Sequence, residues 1–169
     1  MKLAYAIDFG TTNSLISAAD ENGVLPPIPV DPSSPDPTIM RTILYSPSKD
    51  KWFYGAGAID TYGEMMADGR LFRSIKKYLP DESFTGTSIH GKRFTLHDLI
   101  SVFLAELRDR ANRHFDKDVE SVVLGRPAAF SLNPAHDEIA QNRLKAAALQ
   151  AGFKNVEFCP EPIAAAHEF

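Results

Sequence analysis

The chain has 169 residues, 44% apolar and 24% charged, a balance that fits one ordinary globular domain. Twenty-two acidic against eighteen basic side chains leave −4 at pH 7, which argues against the strongly basic surface of a nucleic-acid binder. No apolar stretch approaches the roughly 20 residues of a membrane span, and Asp8 interrupts the apolar segment near the N-terminus, so neither a membrane anchor nor a signal peptide is expected. The single cysteine, Cys159, excludes an internal disulfide and any multi-cysteine metal site, and points to a reducing, cytoplasmic setting.

Residues 3–9 are short and apolar with an acid near the end, which predicts a buried strand. Gly10-Thr11-Thr12-Asn13 is turn chemistry, and residues 14–19 predict a second strand closing a hairpin. Asn22-Gly23 is a tight-turn signal, after which residues 24–30 predict a third strand frayed by prolines. Six of the twelve prolines fall between Pro26 and Pro37, so this stretch is expected to cross between subdomains, without regular structure in its second half. Residues 39–45 and 52–54 predict strands around a polar turn, and residues 56–67 a helix ending before Gly69. Gly91 separates two short strands, 85–89 and 92–94.

A long helix is then expected, with Thr95 as N-cap and Asp98 completing a capping box. Its apolar positions Leu96, Ile100, Phe103, Leu104, Leu107 and Ala111 fall on one helical face. A strand over 119–124 ends at Gly125-Arg126-Pro127. Asn133 caps a further helix with Pro134 at its first position, and Gly152 stops it. Residues 156–159 predict a last strand, and Glu161-Pro162 opens an alanine-rich helix. Strands followed by alternating helices and strands imply a mixed α/β sheet covered by helices.

The segment richest in chemistry is Asp8-Phe9-Gly10-Thr11-Thr12-Asn13-Ser14. A tip of glycine, two threonines and asparagine can aim several backbone N–H groups at one point, forming an anion nest to which the hydroxyls add donors. Gly10 lets a phosphate approach the backbone, and Asp8 suits a magnesium ion held through its water shell. The same residues also suit a plain polar hairpin turn. The chain contains no GxxxxGK[ST] phosphate loop.

The segment Asp8 to Ser14 resembles the first phosphate-binding stretch of the heat-shock protein 70 (DnaK-like) chaperones. Three further stretches resemble that family in the same order: Ser74-Ile75-Lys76-Lys77-Tyr78-Leu79, then Val123-Leu124-Gly125-Arg126-Pro127-Ala128-Ala129-Phe130, then Ala151-Gly152-Phe153 followed by Glu161-Pro162-Ile163-Ala164-Ala165-Ala166. The Gly-Arg-Pro and Ala-Gly-Phe variants are most similar to the divergent YegD-type members.

The resemblance implies an actin-like ATPase (ribonuclease H-like) fold and the use of ATP/ADP with Mg²⁺. Asp8 would order magnesium-bound waters, and Gly10, Thr11, Thr12 and Asn13 would cradle the β- and γ-phosphates. Lys76 would steady the attacking water and the γ-phosphate, and Glu161 would touch the metal's water shell. Arg126 and Pro127 would form the interdomain relay. Residues 1–37 and 116–169 would make the core subdomain of the first lobe, and 38–115 an inserted α+β subdomain. Client polypeptides and co-chaperones would be partners of the longer protein. The family's second glycine-rich phosphate segment and its adenosine-binding segment have no counterpart here, so a second lobe is missing, and the chain alone is expected neither to bind ATP tightly nor to hydrolyse it.

Other readings of these residues stay open. Lys76 stands in a basic run with Arg70, Arg73 and Lys77, which also suits a solvated face. Glu161 suits a helix N-terminus, and Pro127 a strand stop. At the level of the whole chain, the rivals are a non-enzymatic protein-interaction module and a sugar or acid kinase of the same superfamily.

Overall fold

The computed structural model describes residues 3–66 and 68–160. Glu161 and the alanine-rich helix expected after it lie outside the described residues. The first apolar run forms β1 (Ala4–Phe9), which turns back into β2 (Asn13–Asp20) with Ile7 opposite Ile16. Tyr5, Ile7 and Phe9 are buried on one face while Ala6 and Asp8 are exposed on the other, the period-two alternation of a sheet covered on one side.

The expected third strand is only β3 (Gly23–Val24). Beyond it, prolines remove ladder donors, and only Leu25 and Ile28 still donate to β2 carbonyls, at 2.7 and 2.8 Å. The proline-rich crossing is irregular, as expected, but firmly anchored. Asp31 is 2% exposed and accepts from the Ala56 amide at 2.9 Å, while Arg110 donates to the Val30 carbonyl.

Residues 39–45 do not make one strand. They split into β4 (Met40–Arg41) and β5 (Ile43–Ser46), which belong to different sheets. β4 extends the main sheet along β2, whereas β5 pairs with β6 (Phe53–Tyr54) and β7 (Arg70–Arg73). The helix α1 (Gly55–Glu64) packs on this second sheet through Ala58, beside Tyr45 and Ile43. β7 was not expected from the sequence, because its Arg-Leu-Phe-Arg pattern lacks alternation and its ends are exposed. A short 3₁₀ turn (Ile75–Tyr78) follows, then the hairpin of β8 (Thr87–Ile89) and β9 (Lys92–Phe94).

Helix α2 (Leu96–Phe115) starts at the expected capping box: the Thr95 hydroxyl accepts from the Asp98 amide, and the Asp98 carboxylate accepts from the Thr95 amide at 2.8 Å. All six apolar positions read from its periodicity are buried. β10 (Ser121–Arg126) enters the sheet parallel to β1, α3 (Pro134–Gln150) starts at Asn133, and β11 (Asn155–Pro160) adds parallel to β10. The main sheet thus runs β11-β10-β1-β2-β3, with β4 also on β2.

α2 and α3 cover the face carrying Tyr5, Ile7 and Phe9, where Phe9 meets Phe103 at 5.9 Å. Removing one such buried leucine or phenylalanine side chain costs about 2–5 kcal/mol, so this helix-covered layer holds the hairpin above it in place. Tyr5 donates its hydroxyl to Asn112 at 2.9 Å, and burial pushes its ionisation up to about 12.

Candidate functional site

The β1–β2 tip is shorter than the sequence suggests. Asn13 already belongs to β2, opposite Arg41 of β4, which leaves Gly10, Thr11 and Thr12 at the turn. Gly10 is demanded by the turn itself: a Cβ there would overlap the Asn13 carbonyl oxygen.

Thr42 locks the tip from the side. It is 1% exposed; its amide donates to the Thr12 carbonyl at 2.8 Å and its hydroxyl to the Gly10 carbonyl at 2.9 Å. The fully buried Ser14 hydroxyl lies 2.9 Å from the same Thr42 oxygen. These contacts involve both carbonyls flanking Thr11, so the loop is held before any ligand arrives, and preorganised donors cost little to align. Thr42 was not singled out from the sequence, and a threonine between Arg41 and Ile43 carries no signal that could have revealed it.

Thr11 and Thr12 line a cavity of about 450 Å³ together with Arg41, Ile43, Arg73 and Ser74. Ser74 lies in the left-handed backbone region at φ 57°, a costly conformation for a residue other than glycine, and it turns the chain from β7 into the 3₁₀ segment that carries Lys76. Lys76 is half-buried and Lys77 exposed, which distinguishes the two lysines of the basic run.

Asp8 is exposed on the sheet face that α2 and α3 leave uncovered, and it lines a separate groove of about 480 Å³ with Ala6, Leu15, Gly125 and Cys159. Cys159 is half-exposed there. Among the described residues no three His, Cys, Asp or Glu side chains gather to hold a metal. The acid beside the tip is Asp8, and one exposed carboxylate suits a magnesium ion that keeps most of its water shell.

Arg143 of α3 holds the end of the 3₁₀ segment and the loop after it, where His136 of α3 also lies 3.3 Å from Glu82. The Arg143 guanidinium donates through Nη1 to the carbonyls of Tyr78, Leu79 and Asp81 at 3.1, 3.0 and 2.8 Å, and through Nη2 to that of Phe84 at 3.3 Å. Nearer the start of α3, Arg126 reaches Asp137 with Nη2 at 2.9 Å from both carboxylate oxygens, donates to Gln141, and bonds the Pro127 carbonyl at 3.1 Å. Hydrogen bonds from Arg126 and from the Phe130 amide hold the Asp137 carboxyl below the ordinary carboxylate range. Pro127 therefore follows directly on a strand whose last residue, Arg126, is pinned to α3. Arg143 was not recognised from the sequence; an arginine at mid-helix looks like any solvated side chain until the fold brings the loop to it.

Similarity to known proteins extends along the whole chain. It is 26% identical over 182 aligned positions to the chaperone protein HscA homolog of Rickettsia typhi, covering 100% of this chain and 29% of that protein. The Rickettsia prowazekii homolog is 25% identical over 182 positions, covering 100% and 28%, and that of Rickettsia felis 26% over 181 positions, covering 99% and 26%. No protein-family model matches the chain. The likeness is a distant one, to chaperones of the heat-shock protein 70 type, and the chain spans less than a third of the length of these relatives. Among the described residues no helix is long and apolar enough to cross a membrane.

Proposed function

We propose that the chain is the phosphate-binding first lobe of an actin-like ATPase domain from a heat-shock protein 70-like chaperone, of which the YegD-type is our finer assignment. In this reading residues 1–37 and 116–169 form the core subdomain and 38–115 the inserted one. The ligand is ATP or ADP with Mg²⁺; magnesium supplies charge neutralisation at the phosphate oxygens. Gly10, Thr11, Thr12 and Asn13 bind phosphate through backbone N–H and hydroxyl groups, Asp8 and Glu161 orient the metal's waters, and Lys76 positions the attacking water. Phosphoryl transfer asks mainly for such positioning and charge neutralisation. Arg126 and Pro127 pass the state of the site on, and the longer protein couples hydrolysis to client polypeptides and co-chaperones, in the cytoplasm.

The observation that carries this reading is the locked tip. A Gly-Thr-Thr turn is tied to Thr42 by two hydrogen bonds, with Ser14 of β2 bonded to the same hydroxyl, and opens on a cavity lined by arginines, in a chain aligned end to end with chaperones. Because the ligand would lie between two lobes, one lobe leaves much of it in water, where each contact is worth little. Calorimetric titration of the 169-residue chain with Mg-ATP tests this. The expected dissociation constant is on the order of millimolar, about −4 kcal/mol. Micromolar binding would overturn the half-site reading, and no heat at tens of millimolar ligand would overturn the nucleotide reading itself.

A further inference from the structure

The cavity at the hairpin tip carries positive charge that the phosphate-binding motifs do not account for. Arg41 and Arg73 both line it, opposite Thr11 and Thr12. They come from stretches more than thirty positions apart and meet through one corner of the chain. Arg41 is set against the tip because β4 pairs with β2, with Arg41 opposite Asn13. Arg73 is set there because it ends β7 opposite Ile43, two residues beyond Arg41. Thr42, between Arg41 and Ile43, bonds the tip itself. The same three residues thus carry the loop lock and both arginine registers.

The other arginines of the chain are engaged. Arg70, Arg93, Arg108, Arg110, Arg126 and Arg143 donate to carbonyls, and Arg113 pairs with Glu106 at 3.9 Å. Among the described residues no side-chain hydrogen bond or ion pair engages Arg41 or Arg73. Two exposed arginines line one cavity, in a chain whose net charge is −4. An arrangement of that kind favours an anion, and the guanidinium fork matches a phosphate oxygen pair. A volume of about 450 Å³ is within the range of small-ligand pockets and exceeds what the three-residue tip needs for one phosphate.

We infer, on the nucleotide-phosphate reading above, that Arg41 and Arg73 form a second anion subsite that takes the distal phosphate of a polyphosphate ligand held at its inner phosphates by the tip, a departure from the β- and γ-phosphate cradle that the resemblance implies for the tip alone. The pair makes the site select three linked phosphates over two. Arg41 and Arg73 are specificity-determining residues in this assignment, separate from the tip and from Lys76.

The test uses the full 169-residue chain and three probes, inorganic tripolyphosphate, pyrophosphate and orthophosphate, each with magnesium at constant ionic strength, followed by amide chemical shifts. The wild-type chain should prefer tripolyphosphate to pyrophosphate by about tenfold. The double variant R41Q/R73Q should lose that preference, to within about twofold, while its pyrophosphate affinity stays within about twofold of wild type. The double variant K49Q/K51Q removes two positive charges away from the cavity and should retain the preference; urea unfolding midpoints confirm that both variants are folded. A preference that survives in R41Q/R73Q, or falls equally in K49Q/K51Q, overturns the subsite and leaves the nucleotide reading standing. A wild-type chain that binds none of the three anions overturns the nucleotide reading, and the subsite with it.

Discussion

Replacing Arg143 by methionine keeps the apolar stem of the side chain and deletes the clamp between α3 and the segment bearing Lys76. Three carbonyls lie within 3.1 Å of Nη1, which has only two hydrogens, so the contacts amount to about three bonds once the Phe84 carbonyl at 3.3 Å is included. Hydrogen bonds from a charged donor are worth about 1.5–3 kcal/mol each when buried, but this guanidinium is part-exposed and the Tyr78 carbonyl can turn to water. The net loss is therefore about 2–3 kcal/mol, or a melting temperature lower by about 5–10 °C for a domain of this size.

The loss should also be local. Amide hydrogen exchange should accelerate across residues 75–84 while the central turns of α2, whose Phe103 and Leu104 are fully buried, change little below the global unfolding limit. Arg143→Lys keeps the charge without the planar fork and should recover less than half of the stability. An unchanged melting temperature together with unchanged exchange across 75–84 would refute the clamp.

Three other outcomes follow from the same geometry. Thr42→Val preserves shape and deletes the hydroxyl that bridges Gly10 and Ser14; chemical denaturation should show a loss of about 1–3 kcal/mol, and amide exchange at residues 10–14 should rise. Thr95→Ala breaks the capping box and should cost about 1 kcal/mol in the same assay, with helicity lost first at the start of α2. Asp137 has its folded-state ionisation held below 3.8 by Arg126, so its contribution is fully present above that value and disappears as pH falls through the lower folded-state value. The stability gap between wild type and Asp137→Asn, read from urea midpoints, should be full above the ordinary carboxylate value of 3.8 and shrink as pH falls below it; a gap independent of pH would contradict the pairing.

What could be read in the sequence was local. The capping box at Thr95 and Asp98, the buried stripe of α2 and the stop at Gly152 depend on residues within a few positions of one another, and all three are present. The β1–β2 hairpin was legible for the same reason. The sheet switch at Thr42 was not, because Arg41 and Thr42 within residues 39–45 also suit the polar face of one continuous strand, and only pairing with two separate partners divides it. β7 was hidden by its flanking arginines, which resemble a solvated face until Arg73 is seen at the cavity beside Thr11. In the candidate site, motif likeness pointed to the tip and to Lys76, whereas the residues that hold those elements in place, Thr42 and Arg143, act across more than thirty and sixty positions and leave no periodic trace.

The central claim is that the Gly10–Thr12 tip binds nucleotide phosphate with Asp8 acting through magnesium, and amide chemical-shift titration of the chain with ATP, with and without Mg²⁺, tests it most directly. Shifts should concentrate at residues 8–14, 41–43 and 73–77, strengthen with magnesium and lose that dependence in Asp8→Asn. Shifts confined to the open sheet face around Ala6 and Leu15, or the same tip shifts with magnesium removed, would contradict it.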